Sequence, residues 1–431
     1  MTNGPNWVIH PVLSTGPRLV HVNTTATGGG VAEMLHALVR GQVAQGLRAG
    51  WVVIAGSPQF FALTKQMHHL LHGRGVASLL RDPEQSRLYR AALESQARWL
   101  VDQLEPGDTV VLHDPQTLGL APILSDSGIR AFWHCHIGTT DEAEDQVSEV
   151  WRFFHDDLFH LAGMFAPHPA FFPSVVPADR RHIALPAIDP SSPKNRYLSP
   201  PQVDDLLARL GLTAPAGDAS SSLVIQDGYL PPEAGAIVQI SRWDPLKDMA
   251  GVMRCFAQLR TDAHLILAGA DPNEIPDDPE GREVFADVQL VRSALSAECR
   301  ARTHLVALSM RDAELSALYI NALQRRADIV VQKSLEEGFG LTVTEAMAKA
   351  RAVVGSNVGG IPGQITSEIN GILVDPTGSD EVVAVLARLL DDPTLRRSLG
   401  KRAAAVVAQR YLMSRLVSDY GKFVQAVMVQ S

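Results

Sequence analysis

Two series of short apolar runs, each run followed by a longer stretch with helical spacing, fill this chain of 431 residues. That alternation demands parallel sheets, because a strand that returns beside its predecessor in the same direction needs a crossover long enough to hold a helix. In the first series the pattern predicts strands at Arg18–Asn23, Trp51–Ala55, Thr109–His113, Ala131–Ile137 and Gly163–Ala166. Helices are predicted over Val31–Gly46, Gln59–His72, Gln85–Leu104 and Asp141–His160. The second series offers strands at Ala236–Ile240, His264–Ala268, His304–Ala307, Asp328–Gln332, Ala352–Gly355 and Ile372–Val374. Its helices read as Lys247–Leu259, Glu283–Ala297, Arg311–Gln324, Thr342–Ala350, Ser379–Leu390 and Pro393–Arg410, with Ser309 and Asp312 spaced like a capping box.

A proline-rich zone, Ile183–Pro201, separates the series and reads as an interdomain linker, and Thr213–Ser222 reads as a small polar loop. The last amphipathic stretch, Ser414–Met428, either completes the second domain or crosses back onto the first. The expected fold class is therefore α/β, with two doubly wound Rossmann-like domains facing a central cleft. The first spans 1–190, with 411–431 available to join it, and the second spans 191–410. Ligands in open α/β sheets sit at the carboxyl ends of the strands, so the loops that follow strands are where chemistry is sought.

A net charge of -9 gives no pull toward nucleic acid or an anionic membrane. Cys135, Cys255 and Cys299 are odd in number and far apart, which is no disulfide framework and fits a reducing cytoplasm. No basic segment leads into an apolar run at the start, and no apolar stretch approaches the ~18 residues of a membrane span. The expectation is a cytoplasmic protein without a membrane span or nucleic-acid partner. Oligomeric state is not specified, and a homodimer is compatible.

The densest motif runs from Gln332 to Met347: a buried strand, then Lys333-Ser334-Leu335-Glu336-Glu337-Gly338-Phe339-Gly340, then a helix opening at Leu341 and Thr342. Glu337 and Glu345 bracket the loop and the first helical turns, with seven residues between them. Free N–H groups at Gly340, Leu341 and Thr342, together with the helix dipole, attract phosphate, while carboxylates accept hydrogen bonds from sugar hydroxyls. A nucleotide sugar combines both needs, although an ordinary strand-to-helix turn with solvated acids would use the same residue types.

The first strand of the second series leads into Ser241-Arg242-Trp243-Asp244-Pro245-Leu246-Lys247. Arg242 and Lys247 there supply fixed positive charge for a diphosphate leaving group, or else decorate a surface turn. No D-x-D triplet occurs, so a divalent metal bridging the diphosphate lacks its usual ligands. In the first series, Gly28-Gly29-Gly30 follows a strand and opens a helix, which lets a ligand approach the backbone, or makes a flexible turn. His134 and His136 share one strand face, with Cys135 opposite. A metal site would need further ligands such as His168 or His182. We read His136, at the strand's carboxyl end, as donating to a sugar hydroxyl or the reacting centre, with a satisfied core histidine as the alternative. Asp114, in His113-Asp114-Pro115-Gln116, either binds or deprotonates an acceptor hydroxyl or simply starts a turn before proline. Asn23, Asp114 and His134 are the acceptor-side candidates. No G-x-S-x-G elbow is present, which disfavours covalent acyl chemistry.

These residues resemble a family. Glu337 and Glu345, Ser241-Arg242 with Lys247, and Gly359-Gly360-Ile361-Pro362 are similar to the retaining nucleotide-sugar glycosyltransferases of family 4, which have the GT-B fold. His21–Thr25 leading into the glycines, His113–Gln116, Cys135–Ile137, Asp277–Gly281 and Gln332–Ser334 resemble the trehalose glycosyltransferring synthase branch. The resemblance covers roughly Arg18 to Tyr420. It implies that Glu345 holds the ribose hydroxyls, that Glu337 and the Gly338–Thr342 backbone lie against the donor, and that Arg242 and Lys247 hold the diphosphate. It further implies that His136 contacts the donor sugar and that Gly29 and Gly30 sit beside phosphate or acceptor. His136, Glu337, Arg242 and Lys247 are then the catalytic set. Retention without a metal or other cofactor is implied, with the leaving phosphate helping to deprotonate the acceptor.

Two departures touch the acceptor. Gly138-Thr139-Thr140 stands where the branch usually carries an acidic or polar residue, and Pro362-Gly363 where it carries a bulkier basic pair. The expected activity is transfer of a hexose, with glucose the leading case, from a nucleoside-diphosphate sugar to a small polyhydroxylated acceptor. Glucose giving trehalose comes first. Cyclitol, aminocyclitol or other natural-product acceptors, a disaccharide phosphorylase on the same scaffold, and an idle sugar-nucleotide sensor are the alternatives.

Overall fold

The computed structural model describes every residue except 1–3, 13–14, 27–29, 140–143, 216–220, 276–278 and 430–431. Packing divides the chain into two units, Met1–Ala187 with Leu412–Ser431, and Ile188–Tyr411.

The first unit is built on seven strands: β1 (Asn6–Ile9), β2 (Leu19–Asn23), β3 (Ala49–Val53), β4 (Thr109–His113), β5 (Arg130–His134), β6 (Leu161–Ala166) and β7 (Arg181–Ile183). Their order is β1-β3-β2-β4-β5-β6-β7, and only the β1–β3 pair is antiparallel. Every residue of β2 and β4 is buried, as a parallel strand covered on both faces requires. Alternate side chains feed two cores. Val20, Val22, Val110, Leu112 and Trp133 meet Phe60, Tyr89 and Leu100 on one face. Leu19, Trp51, Val111 and Phe132 meet the helix Gly30–Ala44 and the helix Met413–Val429 on the other. The last helix therefore packs on the first unit, burying Leu416, Val417 and Tyr420 there.

The second unit has β8 (Leu223–Ile225), β9 (Ala236–Ile240), β10 (His264–Ala270), β11 (Thr303–Leu308), β12 (Ile329–Gln332), β13 (Ala352–Ser356) and β14 (Ile372–Val374). Their order is β14-β13-β12-β9-β10-β11-β8, with only β8 antiparallel, against β11. The edge strands β1, β7 and β8 were not legible in the sequence. They have only three or four residues and are partly exposed, too short for a run that stands out from a loop.

Several boundaries differ from the sequence reading for local reasons. Lys247 lies in a short 3-10 turn, Pro245–Lys247, and the helix begins only at Met249. Asp248, at φ 43°, caps that helix by accepting from the N–H of Gly251. Ser309 takes no part in a capping box, since its hydroxyl donates to Glu274 and Asp312 alone caps the helix Ala313–Arg326. The proline-rich zone ends in a helix, Pro200–Leu210, held by a capping box of Ser199 and Gln202. The long helix expected over Asp141–His160 is two helices, Glu144–Phe153 and His155–Phe159.

Strand order reverses between β2 and β4 in one sheet and between β9 and β12 in the other. A doubly wound sheet opens a crevice where the crossovers leave in opposite directions, and ligands occupy it. The loops after β2, β4, β9 and β12 hold nearly all the residues singled out above.

Candidate active site

In the second unit, the loops after β9 and β12 are tied together by the Leu335 N–H donating to the Leu246 carbonyl at 2.7 Å. The 3-10 turn is set by Asp244, which accepts from the N–H of Leu246 at 2.8 Å. This geometry turns Lys247 inward, and its Nζ meets Glu337 Oε2 at 2.8 Å. The Ser334 hydroxyl donates to the same carboxylate at 3.1 Å. Both side chains are mostly buried, 12% and 13% exposed. Arg242 behaves differently: its side chain is 65% exposed and pairs with Asp244 at 3.0 Å. Lys333, which the sequence reading did not single out as a site residue, is buried and forms an ion pair with Asp248.

Gly340 precedes the helix Leu341–Ala348 in the left-handed region, at φ 86°, and no side chain caps this helix end. The N–H groups of the first turn, Leu341 and Thr342 included, are thus not taken by a capping residue. The Thr342 hydroxyl instead donates to Gln332 Oε1 at 3.0 Å. The Gly359–Gly360 turn supports the loop from beneath. Gly360 N–H donates to the Glu337 carbonyl at 3.2 Å. A Cβ on Gly359, at φ 53°, would lie 1.6 Å from that carbonyl oxygen, and one on Gly360 2.6 Å from the carbonyl oxygen of Gly338. Only glycine permits this approach. Phe339 packs on Tyr411 with ring centroids 5.7 Å apart, and Gln364 donates to the Phe339 carbonyl.

Glu345 is buried in the same helix, 3.8 Å from the ammonium of Lys194. One turn on, Lys349 donates to Gln324 at 2.7 Å, to Asn195 at 3.0 Å and to the Glu345 carbonyl at 3.3 Å. Burial brings the Lys349 ammonium down to about 7, against the pull of Glu345. Lys194 and Asn195 come from the proline-rich zone, where nothing local marked them. The zone is therefore part of the Glu345 surroundings.

In the first unit, Asp114 follows β4 in the left-handed region, at φ 62°. Its Oδ1 accepts from the N–H of His136 at 2.9 Å, and burial raises its carboxyl to about 7. His136 lies two residues past β5, with its ring stacked 3.8 Å from that of His134. Its Nε2 faces Nδ1 of His113 at 2.9 Å, and burial keeps it neutral, at about 3. Gly30 opens its helix, while Gly28 and Gly29 lie outside the described residues.

Two acceptor-side candidates are engaged within the first unit. His134 is wholly buried, and its Nδ1 pairs with the Tyr420 hydroxyl at 2.6 Å. Its place on β5 lies under the last helix, to which this bond ties it. Asn23 donates to the Thr25 carbonyl at 2.8 Å and accepts from the Trp51 indole at 2.8 Å. Its amide shapes the loop after β2.

Among the described residues, His113, His134 and His136 bring ring nitrogens within 4.8 Å of one another, close enough for a metal ion. His113 bonds His136, and His134 Nδ1 bonds the Tyr420 hydroxyl, while His134 Nε2 is buried without a hydrogen-bond partner. A cation on His113 would have to break one of its two ring hydrogen bonds.

Comparison with known proteins decides the family. Residues 21–173 match the family described as trehalose synthase, N-terminal domain, and residues 225–406 match glycosyl transferases group 1. The chain is 31% identical to the trehalose synthase of Rubrobacter xylanophilus over 411 residues, covering 94% of this chain and 89% of that protein. The chain belongs to the trehalose synthase family of glycosyltransferases. It is also 28% identical to a trehalose phosphorylase of Pleurotus pulmonarius, over 90% of this chain and 54% of that protein. Among solved structures, an α,α-trehalose-phosphate synthase (UDP-forming) from Burkholderia xenovorans, in complex with glucose-6-phosphate, matches with a TM-score of 0.72. At 14% identity, with 94% of this chain and 100% of that chain covered, this likeness establishes the GT-B fold. The family's fold and activity class, a nucleotide-sugar glycosyltransferase with two doubly wound domains, agree with the sequence expectation. No helix among the described residues is long and apolar enough to cross a membrane.

Proposed function

We propose that this glycosyltransferase moves glucose from a nucleoside diphosphate to a small polyhydroxylated acceptor with retention of configuration, and that the acceptor is glucose, giving trehalose. The observation that carries the reading is the Lys247–Glu337 pair, set between a helix end that no side chain caps and a turn that only glycine can make. In this reading Lys247 and Arg242 bind the diphosphate, and their charge acts most strongly as the leaving group becomes more anionic. Glu337 accepts from donor-sugar hydroxyls, and Glu345, beside Lys194, binds the ribose. His136 and Asp114 serve the sugars. The leaving phosphate takes the acceptor proton, so no metal is required.

Trehalose phosphorylase is the second reading, supported by the likeness to the Pleurotus enzyme. A ribose-binding carboxylate at Glu345 has no task there, which favours the transferase. A cyclitol acceptor also remains in play, because Gly138 lies so close to Phe171 that a Cβ would fall 2.3 Å from its ring. The space that a polar side chain would use is filled by an aromatic ring. The test is thermal stabilisation by UDP, GDP, ADP, dTDP, their glucose conjugates and inorganic phosphate, followed by an acceptor screen with the anomeric configuration read by NMR. One nucleotide shifting the midpoint and an α,α-linked product are expected. Stabilisation by phosphate alone would establish the phosphorylase instead.

A further inference from the structure

Four polar side chains run end to end through the first unit: Gln42 of the helix Gly30–Ala44, His21 of β2, His113 of β4 and His136 beyond β5. Gln42 Oε1 lies 3.1 Å from His21 Nε2. His21 Nδ1 lies 2.9 Å from His113 Nε2, and His113 Nδ1 lies 2.9 Å from His136 Nε2. Strand adjacency of β2, β4 and β5 makes the contacts, and the two inner histidines are fully buried.

A neutral imidazole carries one N–H donor and one lone pair, and a carbonyl oxygen can only accept. With the Gln42 amide oxygen turned to His21 and the Gln42 Nε2 buried without a hydrogen-bond partner, those two facts determine every proton in the chain. Gln42 Oε1 accepts, so His21 bears its proton on Nε2 and accepts at Nδ1. His113 must then donate from Nε2 and accept at Nδ1, and His136 must donate from Nε2. A second proton on His21 or His113 would set two donors face to face, and burial opposes the charge as well.

We propose that Gln42, His21 and His113 are positioning residues that hold His136 in the Nε2–H tautomer, so that its Nδ1 accepts a hydrogen bond from a sugar hydroxyl. This reverses the donor role read from the sequence. Only the identity of the hydroxyl rests on the transferase reading, since the tautomer is a property of the free protein.

The experiment is long-range 1H–15N correlation NMR on protein labelled with 15N-histidine, at neutral pH and without ligand, with His136 assigned by its loss in His136→Asn. The expected spectrum shows His21, His113 and His136 all protonated at Nε2. In Gln42→Leu the terminal acceptor is gone and the opposite tautomer of His136 becomes populated. With the glucosyl donor that the panel identifies, kcat/KM then falls about tenfold, the scale of one hydrogen bond, while Ki for the free nucleotide as an inhibitor stays put. A wild-type His136 protonated at Nδ1 would overturn the proposal, since a rotated Gln42 amide reverses every bond. So would an unchanged tautomer in Gln42→Leu, or a full equivalent of tightly held zinc, which cannot coexist with the chain. A purely structural role for Gln42 would alter stability without moving the tautomer. Failure of all transferase assays alongside the expected spectrum would sink the activity and leave the tautomer intact.

Discussion

The ammonium of Lys247 and the carboxylate of Glu337 meet at 2.8 Å although 90 positions separate them in the chain. Each ends a loop from one of the two central strands, β9 and β12, at the point where the strand order reverses. The pair is thus a product of sheet topology. Because both groups are mostly buried, removing one strands the other. Lys247→Ala should lower stability by about 3 kcal/mol in urea unfolding, and kcat/KM by about 100-fold. The double variant Lys247→Ala with Glu337→Ala should be less destabilised than the sum of the single changes, because it leaves no lone charge. Strict additivity would mean that the pair does not couple.

Arg242 should separate binding from folding. Its side chain reaches solvent, and Asp244, although mostly buried, keeps its bond from the Leu246 N–H, so Arg242→Ala should change stability by under about 0.5 kcal/mol. If it holds the diphosphate, kcat/KM should still fall by about 100-fold. Unchanged turnover in this variant would remove Arg242 from the catalytic set.

Gly359→Ala tests the support under the loop. The new Cβ cannot coexist with the Glu337 carbonyl at 1.6 Å, and φ of 53° disfavours it further. The loop must move, with a loss of several kcal/mol, on the order of 3 or more, and of most activity. Wild-type unfolding and turnover in Gly359→Ala would show that the turn is not needed to hold Glu337.

Asp114 carries a pH signature. Burial raises its carboxyl from the ordinary value to about 7, so the folded protein binds this proton more tightly than the unfolded chain. Its contribution to stability is present in full below the unfolded value and is lost as pH rises through about 7. Asp114→Asn keeps an oxygen for the His136 N–H, tolerates the left-handed backbone and cannot ionise. Relative to that variant, the wild type should lose stability between roughly pH 4 and pH 7, by at most about 4 kcal/mol, and run parallel above. Parallel curves across the whole range would show that the carboxyl titrates normally.

Glu345→Gln should raise KM for the donor about tenfold with kcat little changed, because a ribose contact is made equally in ground and transition states. A fall in kcat at constant KM would give Glu345 a role in the chemistry.

Much of the site was legible because it lies within continuous stretches. Glycines at 338 and 340 and the acids at 337 and 345 sit on one strand–loop–helix unit, and Gly359 and Gly360 form a contiguous motif after the next strand, so their period and punctuation are local. Asp114 and His136 were noticed because each follows an apolar strand. Lys194 and Gln42 had no such mark, while Lys333 and His21 lay in quoted motifs without being given a role. Lys194 falls in a proline-rich zone, and His21 and Gln42 sat inside a strand and a helix. The Tyr420 partner of His134 was not legible because strand alternation states which residues share a face, without stating what covers that face.

By itself, the sequence determined two α/β series, the loops that bear ligand-binding residue types, and the family they belong to. Each of these depends on periodicity, turn chemistry or a contiguous motif, which are properties of neighbours in the chain. Tertiary structure alone decided that the last helix buries Tyr420 against His134, that Lys194 faces Glu345, and that Gln42, His21, His113 and His136 form one hydrogen-bonded line. Those partners come from different strands and helices, and which of them meet is set by strand order, register and packing, none of which a local pattern encodes.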